Sequence, residues 1–220
     1  MYKGYKTVVF DLDGTLLDTL QDLYTSVNAA LTAYGLPKRT VDEVQSFVGN
    51  GIAKLIERAI GGKNHPDFEG VLSVFKEHYA LHCKDQTKPY DGVLELLQAL
   101  QSAGVKTAVV SNKADFAVKL LAEEYFGGLL LDAVGENEAC GVRKKPAPDS
   151  LFAVMDKLNA PKHEVVYVGD SEVDIQTAQN AGVDCISVTW GFKDREFLLS
   201  NGGTVLVDKP AEILQFCIEK

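Results

Sequence analysis

A segment near the start of the sequence combines a strand pattern with two acids at its end. It reads Thr7-Val8-Val9-Phe10-Asp11-Leu12-Asp13-Gly14-Thr15-Leu16-Leu17-Asp18. Its first four residues are apolar or β-branched, as expected of a strand buried in a parallel sheet. Open α/β sheets bind ligands beyond the carboxyl ends of their strands, so Asp11 and Asp13 occupy an active-site position. A turn would explain Asp13-Gly14, but not a further acid at the strand tip.

Short β-branched segments recur along the chain and predict further buried strands. With the first strand, they cover residues 7–10, 106–110, 165–168, 185–189 and 204–207. Helical patterns separate most of them, at residues 93–103, 114–125 and 149–158. This alternation predicts a doubly wound α/β fold built on a parallel sheet.

Residues 18–84 differ from the rest because no strand pattern interrupts them. Apolar residues recur at three- and four-residue spacing over residues 20–34 and 68–79, as on one face of a helix. We therefore predict an inserted α-helical cap of residues 18–84 and a core of residues 1–17 and 85–220.

The composition favours a globular protein that acts on small molecules. Of the 220 residues, 46% are hydrophobic and 24% charged, which is ordinary for a globular chain. The formal charge of -9 argues against binding to nucleic acid or to an anionic membrane, since both require a basic face. If the substrate is anionic, the protein must bind it in a local positive pocket. We expect the protein to be a monomer or homodimer.

The first ten residues and the cysteines point to a reducing compartment. The apolar run before Asp11 is too short for a signal peptide or a membrane span, so we expect a cytoplasmic protein. The cysteines at positions 83, 140, 185 and 217 are far apart and form no CxxC pair. Reduced thiols are expected rather than disulfides or a zinc site.

Polar residues that suit phosphate chemistry occur in three further segments. The Ser111 hydroxyl and the backbone amides of the Ser111-Asn112 pair could hold phosphate oxygens. Lys145 could supply a cation, while Asp170 and Asp174 suit a hard metal ion that prefers oxygen ligands. Each segment alone could be a helix cap or a solvated loop. Their ordered combination predicts a site for phosphoryl transfer.

Four motifs in this order resemble those of the haloacid dehalogenase superfamily of hydrolases, over nearly the whole chain. They are Asp11-Leu12-Asp13-Gly14-Thr15, Ser111-Asn112, Lys145-Pro146 and Gly169-Asp170-Ser171 through Asp174. The resemblance implies a Rossmann-like core with strand order 5-4-1-2-3 and a helical cap inserted just after strand 1.

The resemblance also implies roles for the motif residues. Asp11 is expected to be the nucleophile, and Mg²⁺ is expected to be held by Asp11, Asp170 and the backbone carbonyl of Asp13. Asp174 would orient the site or bind the metal through water. The residues expected to bind phosphate are Ser111, Asn112 and Lys145.

Electrostatics accounts for this set of residues. A carboxylate and a phosphate dianion repel each other, so the site needs a divalent cation and a lysine. Attack by Asp11 would give an aspartyl phosphate, which water then cleaves. Asp13 would protonate the leaving alkoxide and later accept a proton from that water. It must therefore begin protonated while Asp11 stays ionised.

The cap sequence gives a preference among substrates. The loop Gly49-Asn50-Gly51 resembles the cap loop of phosphoglycolate phosphatases and their close relatives. We favour a small phosphorylated metabolite, phosphoglycolate first, with Lys54 or Arg58 as partners for its second anionic group. Pyrophosphate, sugar phosphates and nucleotides are alternative substrates, and a β-phosphoglucomutase of the same superfamily is an alternative activity.

Two hypotheses from other classes remain at this point. A response-regulator receiver combines similar residues as a phospho-aspartate switch, although it lacks the helical insertion and the second acid. A catalytically inactive interaction protein is the other alternative. Neither GxGxxG after the first strand nor GxxxxGK[ST] is present to support a nucleotide-binding module.

Overall fold

A computed structural model describes residues 4–137 and 141–218 of the chain. Within these ranges, eight β-strands are present. They are β1 (Thr7–Phe10), β2 (Leu17–Asp18), β3 (Lys88–Pro89), β4 (Lys106–Ala114), β5 (Asp132–Glu136), β6 (Val165–Gly169), β7 (Asp184–Val188) and β8 (Leu206–Val207).

Six of these strands form one parallel sheet in the order β5-β4-β1-β6-β7-β8. The predicted α/β class is confirmed, and five strands follow the predicted order 5-4-1-2-3 when the strands of this sheet are counted along the chain. The difference is a sixth strand, β8, which extends the sheet beyond β7. The strand patterns identified in the sequence did not include β5, an edge strand of sequence DAVGE that is only half buried.

Ten α-helices surround this sheet or lie between its first two strands in sequence. They are α1 (Leu20–Ala33), α2 (Val41–Phe47), α3 (Ile52–Ile60), α4 (Phe68–His82), α5 (Val93–Ser102), α6 (Asp115–Phe126), α7 (Asp149–Lys157), α8 (Glu172–Ala181), α9 (Arg195–Ser200) and α10 (Leu214–Cys217) in the described part of the chain. None of them combines the length and apolar character needed to cross a membrane.

Helices α1 to α4 follow one another without a strand between β2 and β3. The two strands pair antiparallel, so the chain leaves the sheet and returns to it through a two-residue ribbon. Helix α2 starts with a capping box in which Thr40 and Glu43 satisfy each other's backbone amides. The helical content agrees with the predicted insertion, while the division into two domains stays a prediction.

Successive side chains of a strand point to opposite faces of the sheet, and both faces of this sheet are apolar. Val8 and Phe10 of β1 belong to the larger buried cluster, which continues into the helical insertion through Val27 and Phe75. Val9 points to the opposite face and belongs to a smaller cluster beneath α7 and α8. The first strand is therefore covered on both sides, as its uninterrupted apolar sequence predicted.

The cysteines carry no cross-link among the residues that the structure describes. Cys83, Cys185 and Cys217 are free thiols, as expected from their spacing. Cys140 lies outside the described residues.

Buried Asp22 joins α1 to the segment by which the chain returns to the sheet. Its carboxylate accepts hydrogen bonds from the backbone amides of Gln86 and Thr87 and from the Thr87 hydroxyl at 2.8 Å. Three donors from the returning segment thus depend on one side chain of the insertion.

We predict that Asp22→Ala lowers the free energy of unfolding by about 2–4 kcal/mol, because it leaves the two buried donors of Thr87 and the partly buried amide of Gln86 without an acceptor. Urea denaturation would measure the change. Thr25→Ala, an exposed change on the same helix, should cost less than about 0.5 kcal/mol. Equal losses for the two variants would contradict this account.

Candidate active site

Four segments bring polar side chains together at the carboxyl edge of the sheet. Asp11 directly follows β1, Ser111 lies near the end of β4, and Asp170 directly follows β6. Lys145 precedes α7 and reaches the same place, since its Nζ lies 2.9 Å from Asp11 Oδ1. The segments predicted separately from the sequence therefore meet at one edge.

Asp11 is buried at this edge and has an incompletely satisfied carboxylate. No hydrogen-bond donor among the described residues is aimed at its Oδ1, although Lys145 Nζ lies within ion-pair distance. The pKa of Asp11 is raised to about 6, chiefly by burial; the negative charges of Asp174 and Asp13 add to the increase, and Lys145 opposes it. Lys145 therefore offsets only part of the effect that burial and the neighbouring acids have on Asp11.

Lys145 is fixed through its side chain and its backbone. Nζ contacts Asp174 Oδ1 at 2.7 Å and the Tyr167 hydroxyl at 3.0 Å. The Asn112 side chain accepts from the backbone amide of Lys145 at 2.8 Å and donates to its carbonyl at 3.0 Å. Burial lowers the pKa of Lys145, but Asp11 and Asp174 outweigh it, so the pKa stays well above the ordinary value. Lys145 is a fixed cation.

The side chain of Asn112 is thus occupied by the backbone. It also donates to the carbonyl of Gly49 at 3.2 Å. Only its backbone amide, with the hydroxyl and amide of Ser111, remains for the predicted phosphate contact. The role of Asn112 as a phosphate ligand stays a prediction for those main-chain groups.

Three buried carboxylates form a cluster that could hold a metal ion. Asp11, Asp170 and Asp174 each offer an oxygen atom, and these atoms lie within 4.8 Å of one another. Burial raises the pKa of Asp170 well above its ordinary range, and Asp174 and Asp11 add to the effect. A divalent cation would relieve this repulsion.

The donor set fits Mg²⁺. All three groups are hard oxygen ligands, and Asp11 Oδ1 accepts no hydrogen bond from the described residues, although Lys145 is paired with it. Asp174 is more constrained, since one oxygen contacts Lys145 and the other accepts from the amide and hydroxyl of Ser171. This arrangement supports the predicted role of Asp174 in orienting the site.

Backbone packing around Asp170 requires glycine at two positions. Gly14 has a φ of +81°, and a Cβ there would lie 2.3 Å from Asp170 Oδ2. A Cβ on Gly191 would lie 2.3 Å from the Gly14 carbonyl oxygen and 2.4 Å from Asp170 Cβ. The residue after Gly191, Phe192, donates its amide to Asp170 Oδ2 at 2.6 Å. These contacts fix the Asp170 carboxylate.

Asp13 pairs with a lysine to which the sequence reasoning gave no role. Lys113 Nζ lies 2.8 Å from Asp13 Oδ1 and 3.1 Å from Oδ2, and it donates to the hydroxyl of Tyr79 in α4. Both Lys113 and Tyr79 are buried. Burial lowers the pKa of Lys113, but Asp13 and Tyr79 reverse the effect, so the pKa is raised. The site contains a second fixed cation.

A cleft above Asp11 and Asp13 separates the sheet edge from the helical insertion. The insertion contributes an apolar wall that includes Leu23, Ile52 and Leu55. Gly49 and Gly51, two of the predicted specificity residues, also line the cleft.

Asn50 and the two cationic candidates of the cap have other contacts. The Asn50 side chain accepts from Arg58, which also donates to the Phe47 carbonyl, so Arg58 braces the loop. Lys54 pairs with Glu57 at 2.7 Å and is 44% exposed. Neither Lys54 nor Arg58 is among the residues that line the cleft.

Three hydrogen bonds between the insertion and the sheet edge are accepted by backbone carbonyls. Asn112 donates to the Gly49 carbonyl, and Gln45 donates to the Phe192 carbonyl at 2.8 Å. Lys193 reaches the Ser46 carbonyl at 3.4 Å. Phe192 therefore contacts Asp170 through its amide and α2 through its carbonyl.

A family comparison agrees with this geometry. The model of the haloacid dehalogenase-like hydrolase family matches residues 8–188. A phosphoglycolate phosphatase from Pseudomonas savastanoi pv. phaseolicola is 34% identical, over 97% of this chain and 80% of that protein. A phosphoglycolate phosphatase from Xanthomonas campestris pv. campestris is 31% identical over 94% of both chains.

Solved structures give the same result. A crystal structure from Lactobacillus delbrueckii subsp. bulgaricus, of a protein predicted to be a phosphoglycolate phosphatase, superimposes with a TM-score of 0.92 and 38% identity. It covers 99% of this chain and 100% of its own. A predicted phosphoglycolate phosphatase from Haemophilus somnus gives a TM-score of 0.88 and 28% identity, over 98% of both chains.

We predict that Gly191→Ala weakens Mg²⁺ binding at least about tenfold, because the new Cβ displaces Asp170 from the cluster. Isothermal titration calorimetry with MgCl₂ measures the affinity directly. Gly128→Ala is the matched control, since a Cβ there meets nothing within 4 Å. Unchanged affinity in Gly191→Ala would show that Asp170 does not hold the metal.

Proposed function

Because the chain belongs to the haloacid dehalogenase-like hydrolase family, we propose that it is a Mg²⁺-dependent phosphatase of small phosphate monoesters, with phosphoglycolate the favoured substrate. The observation that carries the proposal is the position of Asp11. Its carboxylate lines the cleft beside a buried lysine and two further buried acids. This is the arrangement that a carboxylate nucleophile for phosphate requires.

Charge balance explains the composition of the site. Asp11, Asp170 and the backbone carbonyl of Asp13 would hold Mg²⁺, with Asp174 in an orienting or water-mediated role. When bound, the metal supplies positive charge that offsets the phosphoryl oxygens and the acids. Lys145 supplies the protein's own cation beside Asp11. The hydroxyl of Ser111 and the amides of the Ser111-Asn112 pair supply hydrogen-bond donors.

The first chemical step forms an aspartyl phosphate. A carboxylate oxygen of Asp11 attacks phosphorus in line, and the bond from phosphorus to the ester oxygen breaks. Protonated Asp13 donates its proton to that oxygen, so the leaving group departs as a neutral alcohol. The two carboxylates are two residues apart on one loop and both line the cleft, which supports this division of roles.

The second step regenerates the enzyme. Asp13, now ionised, accepts a proton from a water molecule that attacks the phosphorus of the aspartyl phosphate. The bond from Asp11 to phosphorus breaks, inorganic phosphate leaves, and Asp13 is again protonated. One acid thus serves as donor in the first step and as acceptor in the second.

Phosphoglycolate is favoured because the cap loop Gly49-Asn50-Gly51 resembles that of phosphoglycolate phosphatases and because proteins with that name are similar over most of the chain. Gly49 and Gly51 line the cleft, which supports a role of this loop in substrate specificity. A cytoplasmic location and a monomeric or homodimeric state stay predictions.

We predict that Asp11→Asn lowers phosphate release from phosphoglycolate at least about 1,000-fold, since an amide cannot form the acyl phosphate. Phosphate release from a panel of phosphorylated metabolites, with MgCl₂ or with EDTA, would measure it. Asp42→Asn, an exposed acid of α2, is the control and should keep wild-type rates.

Each outcome of this screen has a separate meaning. Wild-type turnover by Asp11→Asn, or rates insensitive to EDTA, would overturn the mechanism. A different preferred phosphate ester would overturn only the assignment of phosphoglycolate. Release of no more than one equivalent of phosphate per enzyme would favour a phospho-aspartate switch.

We predict that Asp13→Asn slows turnover of phosphoglycolate about 100- to 10,000-fold, the range expected when a general acid and base is lost. With p-nitrophenyl phosphate the leaving group needs no proton, so the first step should survive while hydrolysis of the intermediate stalls. Stopped-flow absorbance should then show a burst of one equivalent of p-nitrophenol. A slow first turnover without a burst would contradict the assigned role.

A further inference from the structure

Lys113 is a buried cation in the cleft that the proposed phosphoryl chemistry does not use. Lys145 already contacts Asp11 and Asp174, and it is not among the residues lining the cleft. Lys113 does line the cleft, on the side of Asp13, with only 3% of its side chain exposed. The two lysines therefore face different parts of the site, one at the nucleophile and one at the acid.

The hydroxyl of Tyr79 completes this second cationic position. Its oxygen accepts from Lys113, and Nζ also lies 4.7 Å from the centre of the Tyr79 ring. No hydrogen bond donated by this hydroxyl is found among the described residues, although the residue is buried and lines the cleft. A lysine and a neighbouring hydroxyl donor together suit a carboxylate, whose two oxygens accept one bond each.

Lys113 Nζ is close enough to Asp13 to reach a carboxylate on the leaving group. An ester oxygen hydrogen-bonded to Asp13 would lie about 3 Å from that carboxyl group, so it would be at most about 6 Å from Lys113 Nζ. In an O–CH₂–COO⁻ group, the carboxylate oxygens extend about 3 Å from the ester oxygen. The remaining distance of about 3 Å is that of a hydrogen bond.

We infer that Lys113, with Tyr79, binds an anionic group on the leaving alcohol and so selects phosphate esters that carry a carboxylate one carbon from the ester oxygen. This inference rests on the proposed function and assigns its specificity to a strand of the sheet and to α4. The insertion also contributes Leu23, Ile52 and Leu55 to this cleft, and these apolar side chains offer a carboxylate no hydrogen bond.

Lys193 is the competing cation, because it also lines the cleft. Its Nζ is directed to the Ser46 carbonyl at 3.4 Å and lies 5.5 Å from the centre of the Phe197 ring. It follows Phe192, whose amide donates to Asp170, whereas Lys113 contacts Asp13 itself. The leaving group is therefore assigned to Lys113.

Two substrates with the same skeleton test the inference. Phosphoglycolate and ethyl phosphate differ in whether the second carbon is a carboxylate or a methyl group, and the ratio of their kcat/KM values measures preference for the anion. Lys113→Met should lower this ratio roughly 100-fold, and Tyr79→Phe roughly fivefold. Lys54→Met, on the exposed face of the insertion, should leave the ratio unchanged.

The ratio separates specificity from a structural role. If Lys113 serves only to hold Asp13, Lys113→Met will slow both substrates equally and the inference is wrong. A collapse of the ratio in Lys193→Met, with the ratio kept in Lys113→Met, also overturns it. So does a wild-type enzyme that hydrolyses both esters equally well. Thermal melts confirm folding, and Tyr79→Phe provides a milder change at the same position.

Binding measurements separate this inference from the proposed function. In an Asp11→Asn background, calorimetry with MgCl₂ gives dissociation constants for both esters without turnover. In one outcome, the wild type hydrolyses neither ester, yet phosphoglycolate binds more tightly than ethyl phosphate and loses this advantage in Lys113→Met. The proposed phosphatase activity is then wrong, while the proposed anion site stands. If Lys113→Met weakens both esters equally, the anion site is wrong.

Discussion

The contact of Lys145 with Asp11 and Asp174 is the interaction on which the rest of the site depends. Three acids meet at one edge of the sheet, and within a low-dielectric interior their mutual repulsion would oppose folding. A buried lysine between two of them offsets part of that cost. Because Asn112 holds the backbone of Lys145 at both its amide and its carbonyl, the end of β4 fixes the position of this cation.

The sequence was sufficient to predict which segments would meet. Parallel strands end at the same edge of a sheet, so residues that follow different strands converge even when more than 100 positions separate them. Asp11 and Asp170 illustrate this rule, since each directly follows a central strand, and Ser111 joins them from the second half of β4. The helices of the insertion could also be predicted from the sequence, because apolar residues recur there at helical spacing and no strand pattern interrupts them.

Features that depend on tertiary contacts could not be predicted in this way. The strand β5 has few apolar residues and lies at the edge, where packing against β4 rather than propensity stabilises it. Lys113 was hidden because β4 continues beyond Val110, and its partner Tyr79 lies in a stripe that indicated only a buried helix face. The contact between Phe192 and Asp170 involves a backbone amide, which carries no residue-specific signal.

Docking of the insertion through carbonyl oxygens has a consequence for how such a protein diversifies. The acceptors at Gly49, Ser46 and Phe192 belong to the main chain, which every residue type supplies. Side chains of the insertion that line the cleft can therefore be replaced without removing these acceptors. Selection can alter the residues around the leaving group while these contacts are kept, so new substrate ranges are reachable by point mutation without redesign of the interface.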